Sequence, residues 1–454
     1  MSIFYQPSDA VCADFIPYYE NGVYYLFYLT DYRDWENHGE GTPWFLVTTK
    51  DFVRFEEHGE VLPRGTKEEQ DLYVFTGSVF KGEGEYHIFY TGHNPHLRKQ
   101  GLPEQAVMHA VSQDLLTWEK KPEDTFFAPL QGYEPHDWRD PFVYWDEEAG
   151  EYRMLLAARS KQGAPRRRGM TALCGSKDLK NWQVLEPFWT PERFFTHECP
   201  DLFKMGGWYY LIYSEFSEEK LTRYRMSRSL KGPWLQPEDD RLDGIAYYAA
   251  KSAAGEKDRY LFGWIPSREG EKDDGAWQWG GTLCVHKLCQ REDGTLYSCL
   301  PEEVWRTAAA ERIAQGEETL QAVSGVKTAM LGELPEAGAL ECRCRLEGSV
   351  AEILVHMDED LDEGFMVRLD REGRMLAMDR WPREGHMAWE PGLKRPMADK
   401  EEHVLRILMD GSALCVYLDG EIALCSRAYD RKAHKLGFAV KEGKASLKWT
   451  LYKA

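Results

Sequence analysis

Hydrophobic positions along the chain alternate with polar ones or gather in short aromatic-rich runs, and Gly, Asp, Asn and Pro separate the runs. That is the pattern of β-strands joined by turns. One strand type recurs, as VYYLFYL at Val23–Leu29, EYHIFYT at Glu85–Thr91, EYRMLLA at Glu151–Ala157, WYYLIYS at Trp208–Ser214 and RYLFGW at Arg259–Trp264. A second unit follows each of the first four, as TTKDFVRF (48–55), SQDLLTW (112–118), SKDLKNW (176–182) and SRSLKGPW (227–234). Its Asp is expected to cap a turn, and its Trp to pack back onto the strands. The period is about 50 to 65 residues, which is room for four short strands and predicts radially arranged blades. Five copies predict a five-bladed β-propeller over residues 1–300.

The pattern then changes. PEEVWRTAAAERIAQGEE (301–318) is the one helical candidate, and a linker is expected over 301–320. From 321 to 454, segments such as GALECRCRLE, SVAEILVHMDE and HVLRILMDGSALCVYLDGEIAL alternate regularly, with hairpin turns at MDGS and LDGE. They predict a C-terminal antiparallel β-sandwich. The fold class is therefore all-β.

Composition sharpens this picture. Aromatic residues reach 13% of the 454, which suits strands and sugar-binding clefts. The net charge of -20 argues against a nucleic-acid partner. No apolar run is long enough for a membrane span. The N-terminus MSIFYQPSDAVCADF has no leader pattern, so the expected location is cytoplasmic and the ten Cys are expected as thiols. No CxxC pair occurs, and neither a metal nor another cofactor is expected. The oligomeric state is left open.

A propeller gathers the inner strands of its blades around one axis, so acids near those strands are candidates for chemistry. Asp14, Asp140 and Glu198 each lie about ten residues before a central strand, where the inner strand of the same blade should run. Three converging carboxyls suit glycoside hydrolysis, in which one ionised group acts on the anomeric carbon and another protonates the leaving oxygen. Arg139 is placed to keep Asp140 ionised and to bind a sugar hydroxyl. Cys199, small and weakly polar, would favour a protonated Glu198. Arg166–Arg168 reads as a phosphate clamp or as a solvated loop. His197 could tune its neighbour Glu198.

These motifs resemble glycoside hydrolase family 32, the β-fructosidases. The resemblance rests on Arg139-Asp140-Pro141, Glu198-Cys199-Pro200, Phe75-Thr76-Gly77-Ser78, Tyr247-Tyr248-Ala249 and Gly263-Trp264. It implies a five-bladed propeller followed by a sandwich, and a retaining hydrolase of terminal β-fructofuranosides on a small oligosaccharide. It also implies Asp14 as nucleophile, Asp140 as transition-state stabiliser and Glu198 as acid/base. Arg139, Trp44, Phe75, Ser78, Cys199, Tyr248 and Trp264 would contact the sugar. The chain departs from the family pattern at Val11-Cys12-Ala13-Asp14-Phe15-Ile16-Pro17, where two Asn and a Gly are absent, and at Phe27-Tyr28-Leu29, where a Gln is lost; those side chains contact the sugar in the family. Another furanoside, such as an arabinoside, and a non-catalytic carbohydrate-binding role are the alternatives.

Overall fold

The computed structural model describes residues 2–347, 350–383 and 393–454. Through Cys299 it consists of successive antiparallel strand groups, whose first strands are Val11–Glu20, Tyr73–Gly82, Tyr133–Asp146, Glu198–Met205 and Tyr248–Ala254. These five strands form a ring, each touching the next and the last returning to the first. Pairing of Cys12 with Gly281 joins the last group to the first. A ring of inner strands is what a propeller requires, and it brings residues far apart in sequence to one axis.

The recurring turn unit has the expected chemistry. Asp114 Oδ1 accepts from Leu116 N (2.9 Å) and Thr117 N (2.8 Å), and Asp178 Oδ1 accepts from Lys180 N (3.0 Å) and Asn181 N (2.8 Å). The residue after each Asp, at Phe52, Leu115 and Leu179, adopts positive φ (63°, 67° and 60°). Each of these side chains is buried between strands, which offsets the backbone cost of that conformation.

The stretch 301–320 is built differently from the expected linker. Its helix covers only Glu302–Ala308, and the strand Glu311–Glu333 starts inside it. That strand pairs along the C-terminal strand Lys435–Lys453, so the second domain's sheet begins at Glu311. Ser349, expected to open a strand, lies outside the described residues, and the strand runs Val350–Met357.

Lys435–Lys453 carries the sandwich. Its first part pairs with Val350–Met357 and its second with Ala337–Leu346, the corner falling at Glu442 and Gly443, both at positive φ (49° and 144°). Alternate side chains of both layers, including Cys342, Cys344, Ile353, Val355, Leu405 and Ile407, share one core. The MDGS turn joins Glu402–Asp410 to Ala413–Leu418, and LDGE joins the latter to Ile422–Arg427. A further core runs continuously from the last propeller strands into the sandwich through Leu408, Ala413, Cys415, Tyr417 and Cys425. Among the described residues no helix is long and apolar enough to cross a membrane.

Candidate active site

The inner strands share a local irregularity. Pairing slips between Ala13 and Ile16, Phe75 and Gly77, Arg139 and Phe142, Glu198 and Asp201, and Tyr248 and Lys251. Each slip is a bulge with one extra residue, and a bulge re-aims the side chains beside it. Asp14, Asp140, Cys199 and Ala249 sit in these bulges at positive φ (43°, 59°, 50° and 51°). For residues other than Gly such conformations cost about 1–3 kcal/mol each and cluster where a side chain must point in a particular direction. Pro141 and Pro200 fall in two of the bulges, where no ladder N–H is needed.

The bulges turn Asp14, Asp140 and Glu198 toward one cavity of about 760 Å³. Asp14 accepts hydrogen bonds from Thr76 Oγ1 (2.7 Å) and Trp264 Nε1 (2.9 Å). Asp140 accepts from the Cys199 backbone N–H (2.8 Å). Glu198 accepts from Arg139 Nη2 (3.1 Å) and from the Tyr248 hydroxyl (2.6 Å). Burial raises the Asp14 carboxyl to about 7, with Asp140 and Glu198 adding to the shift against the pull of Thr76 and Trp264. Burial and Glu198 push Asp140 up to about 6, opposed by Arg139, the Cys199 N–H and Lys251.

Several expected contacts are corrected. Trp44 is fully buried and does not line the cavity; its ring packs on Phe27 and Tyr90, and its indole N–H donates to Val74 O (3.1 Å). Ser78 is also buried away from the cavity, because its hydroxyl accepts from Val143 N (3.1 Å) and ties two inner strands together. Trp264 presents only its N–H, to Asp14, while its ring lies in the core. Phe75 does line the cavity and stacks on His93. Arg139 bonds Asp137 (2.8 Å) and Glu198 (3.1 Å) more closely than it approaches Asp140 (3.9 Å). Cys199 lines the cavity and orients Asp140 through its backbone N–H, and Glu198 is held by Arg139 and Tyr248. His197 faces Thr171 (3.2 Å) and Trp189.

Thr76 stands in the Phe75–Ser78 motif and Trp279 among the aromatics able to stack on a sugar, whereas Trp35 and Lys251 belong to no motif that marks them for the site. Thr76 holds Asp14 from within the motif's second position. Trp279 and the exposed Trp35 line the cavity and offer ring faces at its edge. Lys251 is fully buried beneath the carboxyls and donates to Gly77 O (2.9 Å) and Pro200 O (3.2 Å), bridging two bulged strands from a third. A charged group placed at the next bulge is the one hint of it.

The cavity's cations are paired. Arg168 meets Glu134 (2.7 Å), Arg98 meets Glu104 (3.2 Å) and Arg159 meets Asp137 (3.6 Å). Arg166 and Arg167 remain exposed on a single 3₁₀ turn.

Comparison with known proteins identifies the family and the fold. The model of the glycosyl hydrolases family 32 N-terminal domain matches residues 12–298. Raffinose invertase of Escherichia coli is 26% identical over 432 residues, covering 90% of this chain and 85% of the relative. A levanbiose-producing levanase of Bacillus subtilis is 26% identical over 268 residues, covering 55% of this chain and 45% of its own length. In fold, the chain is similar to sucrose-6-phosphate hydrolase from Lactobacillus gasseri, with a TM-score of 0.78 at 18% identity, covering 100% of this chain and 93% of that one.

Proposed function

The chain belongs to glycoside hydrolase family 32, and on that premise we propose that it removes terminal β-fructofuranosyl residues from sucrose-like sugars and short fructans, with retention through a covalent glycosyl-enzyme. The observation that carries this reading is the convergence of Asp14, Asp140 and Glu198, each at a strand bulge, on one cavity.

Asp14 is the nucleophile in this reading. Thr76 and Trp264 fix its two oxygens and offset part of the cost of a buried negative charge. Glu198 is the acid/base, and the Tyr248 hydroxyl and Arg139 hold its two oxygens at the edge of the cavity. To act as acid it must take up a proton. Asp140, oriented by the Cys199 N–H, stabilises positive charge developing on the ring.

The cavity carries seven acids (Asp14, Asp31, Glu104, Glu134, Asp137, Asp140 and Glu198) against four arginines (Arg98, Arg139, Arg159 and Arg168). With each arginine already paired, the site suits an uncharged oligosaccharide better than a phosphorylated one. Ala13 and Leu29, where Asn and Gln would face a fructosyl ring, keep an arabinofuranoside as the second reading.

Glu198→Gln tests the assignment. Turnover is expected to fall by about 10²–10⁴ on a substrate with a poor leaving group, the usual weight of a general acid. Unchanged turnover would remove Glu198 from the chemistry.

A further inference from the structure

A second cluster of chemically capable side chains lies outside the cavity's lining, where the last propeller strands meet the sandwich. Cys284 and His286 sit two residues apart on Trp277–Gln290 and so share a face. Cys415 and Cys425 are direct cross-strand partners on Ala413–Leu418 and Ile422–Arg427. All four are buried, at 1% exposure or less. Ligand atoms of Cys284, His286 and Cys425 lie within 4.8 Å of one another. The Cys284 and Cys425 sulfurs are 3.8 Å apart, and Cys415 Sγ is 3.2 Å from Cys425 Sγ.

We infer that this cluster is a structural site for a thiophilic divalent cation, zinc in the first instance, held by Cys284, Cys425 and His286 with Cys415 completing the set.

The dimensions fit. Zinc–sulfur bonds of about 2.3 Å in a tetrahedron put two sulfurs about 3.8 Å apart. That is the Cys284–Cys425 separation, while Cys415 must back away from Cys425 by about half an ångström to reach the same spacing. The surroundings fit as well. His286 Nε2 contacts Asp243 Oδ2 (3.0 Å), and Asp243 Oδ1 accepts from the Cys425 N–H (2.8 Å). A carboxylate behind a histidine is the usual device that fixes the imidazole for metal binding. His286 Nδ1 is the coordinating atom, and the Tyr417 hydroxyl now 3.0 Å from it must yield that lone pair. Each coordinating thiol releases its proton to solvent. Arg427, two residues beyond Cys425 on the same face, compensates the resulting negative charge; its guanidinium is buried and donates to Thr282 Oγ1 (2.6 Å). The bound ion would join three strands of two domains.

The test uses the full chain, purified without chelator and with any histidine tag removed. About one zinc per chain is expected to survive gel filtration in EDTA and to leave on addition of a mercurial. Cys284→Ser and Cys425→Ser are expected to cut the content at least fivefold, while Cys289→Ser retains it. Should the two variants not fold, wild-type protein unfolded in chelator and refolded with zinc chloride is expected to take up the metal and melt at a higher temperature than protein refolded without it. Cobalt uptake should give a thiolate charge-transfer band. Protein that gains no stoichiometric zinc on refolding, or that carries a Cys415–Cys425 disulfide, overturns the assignment.

Discussion

Asp14 stands at positive φ with a carboxyl raised to about 7, held by one hydroxyl and one indole N–H. Its folded-state value lies above the ordinary carboxylate value of about 3.9. Between those values the folded protein binds the extra proton, so stability falls as pH rises through the window. Asp14→Asn is therefore expected to abolish turnover yet melt a few degrees higher than wild type at pH 8, the gap closing near pH 4. An equal or lower melting temperature at pH 8 would contradict this account of the burial cost. Lys251 works in the other direction. Its ammonium ties Gly77 O to Pro200 O and helps to keep Asp140 charged. Lys251→Met is expected to move the acidic limb of the kcat/KM profile to higher pH, so that kcat/KM near pH 6 falls by roughly tenfold. Lys251→Arg should restore part of it. A profile that merely scales down would make Lys251 a folding residue only.

At the scale of the element, the bulge and the Asp turn divide the labour. The Asp turns, at Asp51, Asp114 and Asp178, set where three of the strand groups reverse, and the bulges set where each inner strand aims. Asp178 accepts two backbone N–H bonds that its turn cannot satisfy otherwise. Asp178→Ala is expected to cost about 1–2 kcal/mol in urea unfolding while leaving kcat unchanged. A change in kcat would link the outer turns to the site. These turns are legible in the sequence because an Asp followed by a large apolar residue and, three residues later, an aromatic recurs at Asp51, Asp114 and Asp178. Asp140 and Glu198 are legible because Arg139-Asp140-Pro141 and Glu198-Cys199-Pro200 stand where inner strands should run, and Asp14 only by its distance before the first central strand. Ser78 misleads because a strand's period of two does not say which face a bulge turns toward the axis, and Trp44 because it stands on Trp44–Thr49, outside the inner strands. Lys251 is hidden in an ordinary-looking YYAAKSAA run.

At the scale of the molecule, the ring closes by pairing Cys12 with Gly281, and the sandwich then packs on the last group through a shared apolar core. Arg427 donates from the sandwich to Ile265 O (2.8 Å) and Pro266 O (3.1 Å) in the propeller. The thiol cluster lies in this same seam. It is invisible in sequence because its four members come from three strands and more than a hundred residues separate Cys284 from Cys415. Five repeats can be counted along the chain, but the start of the sandwich cannot be placed. The alternation within Glu311–Glu333 is weak, because most of that strand's side chains remain exposed.

The most direct test of the central claim is product analysis of the purified chain on sucrose, sucrose 6-phosphate, short inulin- and levan-type oligomers and arabino-oligosaccharides. Release of fructose from sucrose and the short fructans is expected, with sucrose preferred over its phosphate. Release of arabinose alone, with no fructose from any member of the panel, would contradict it.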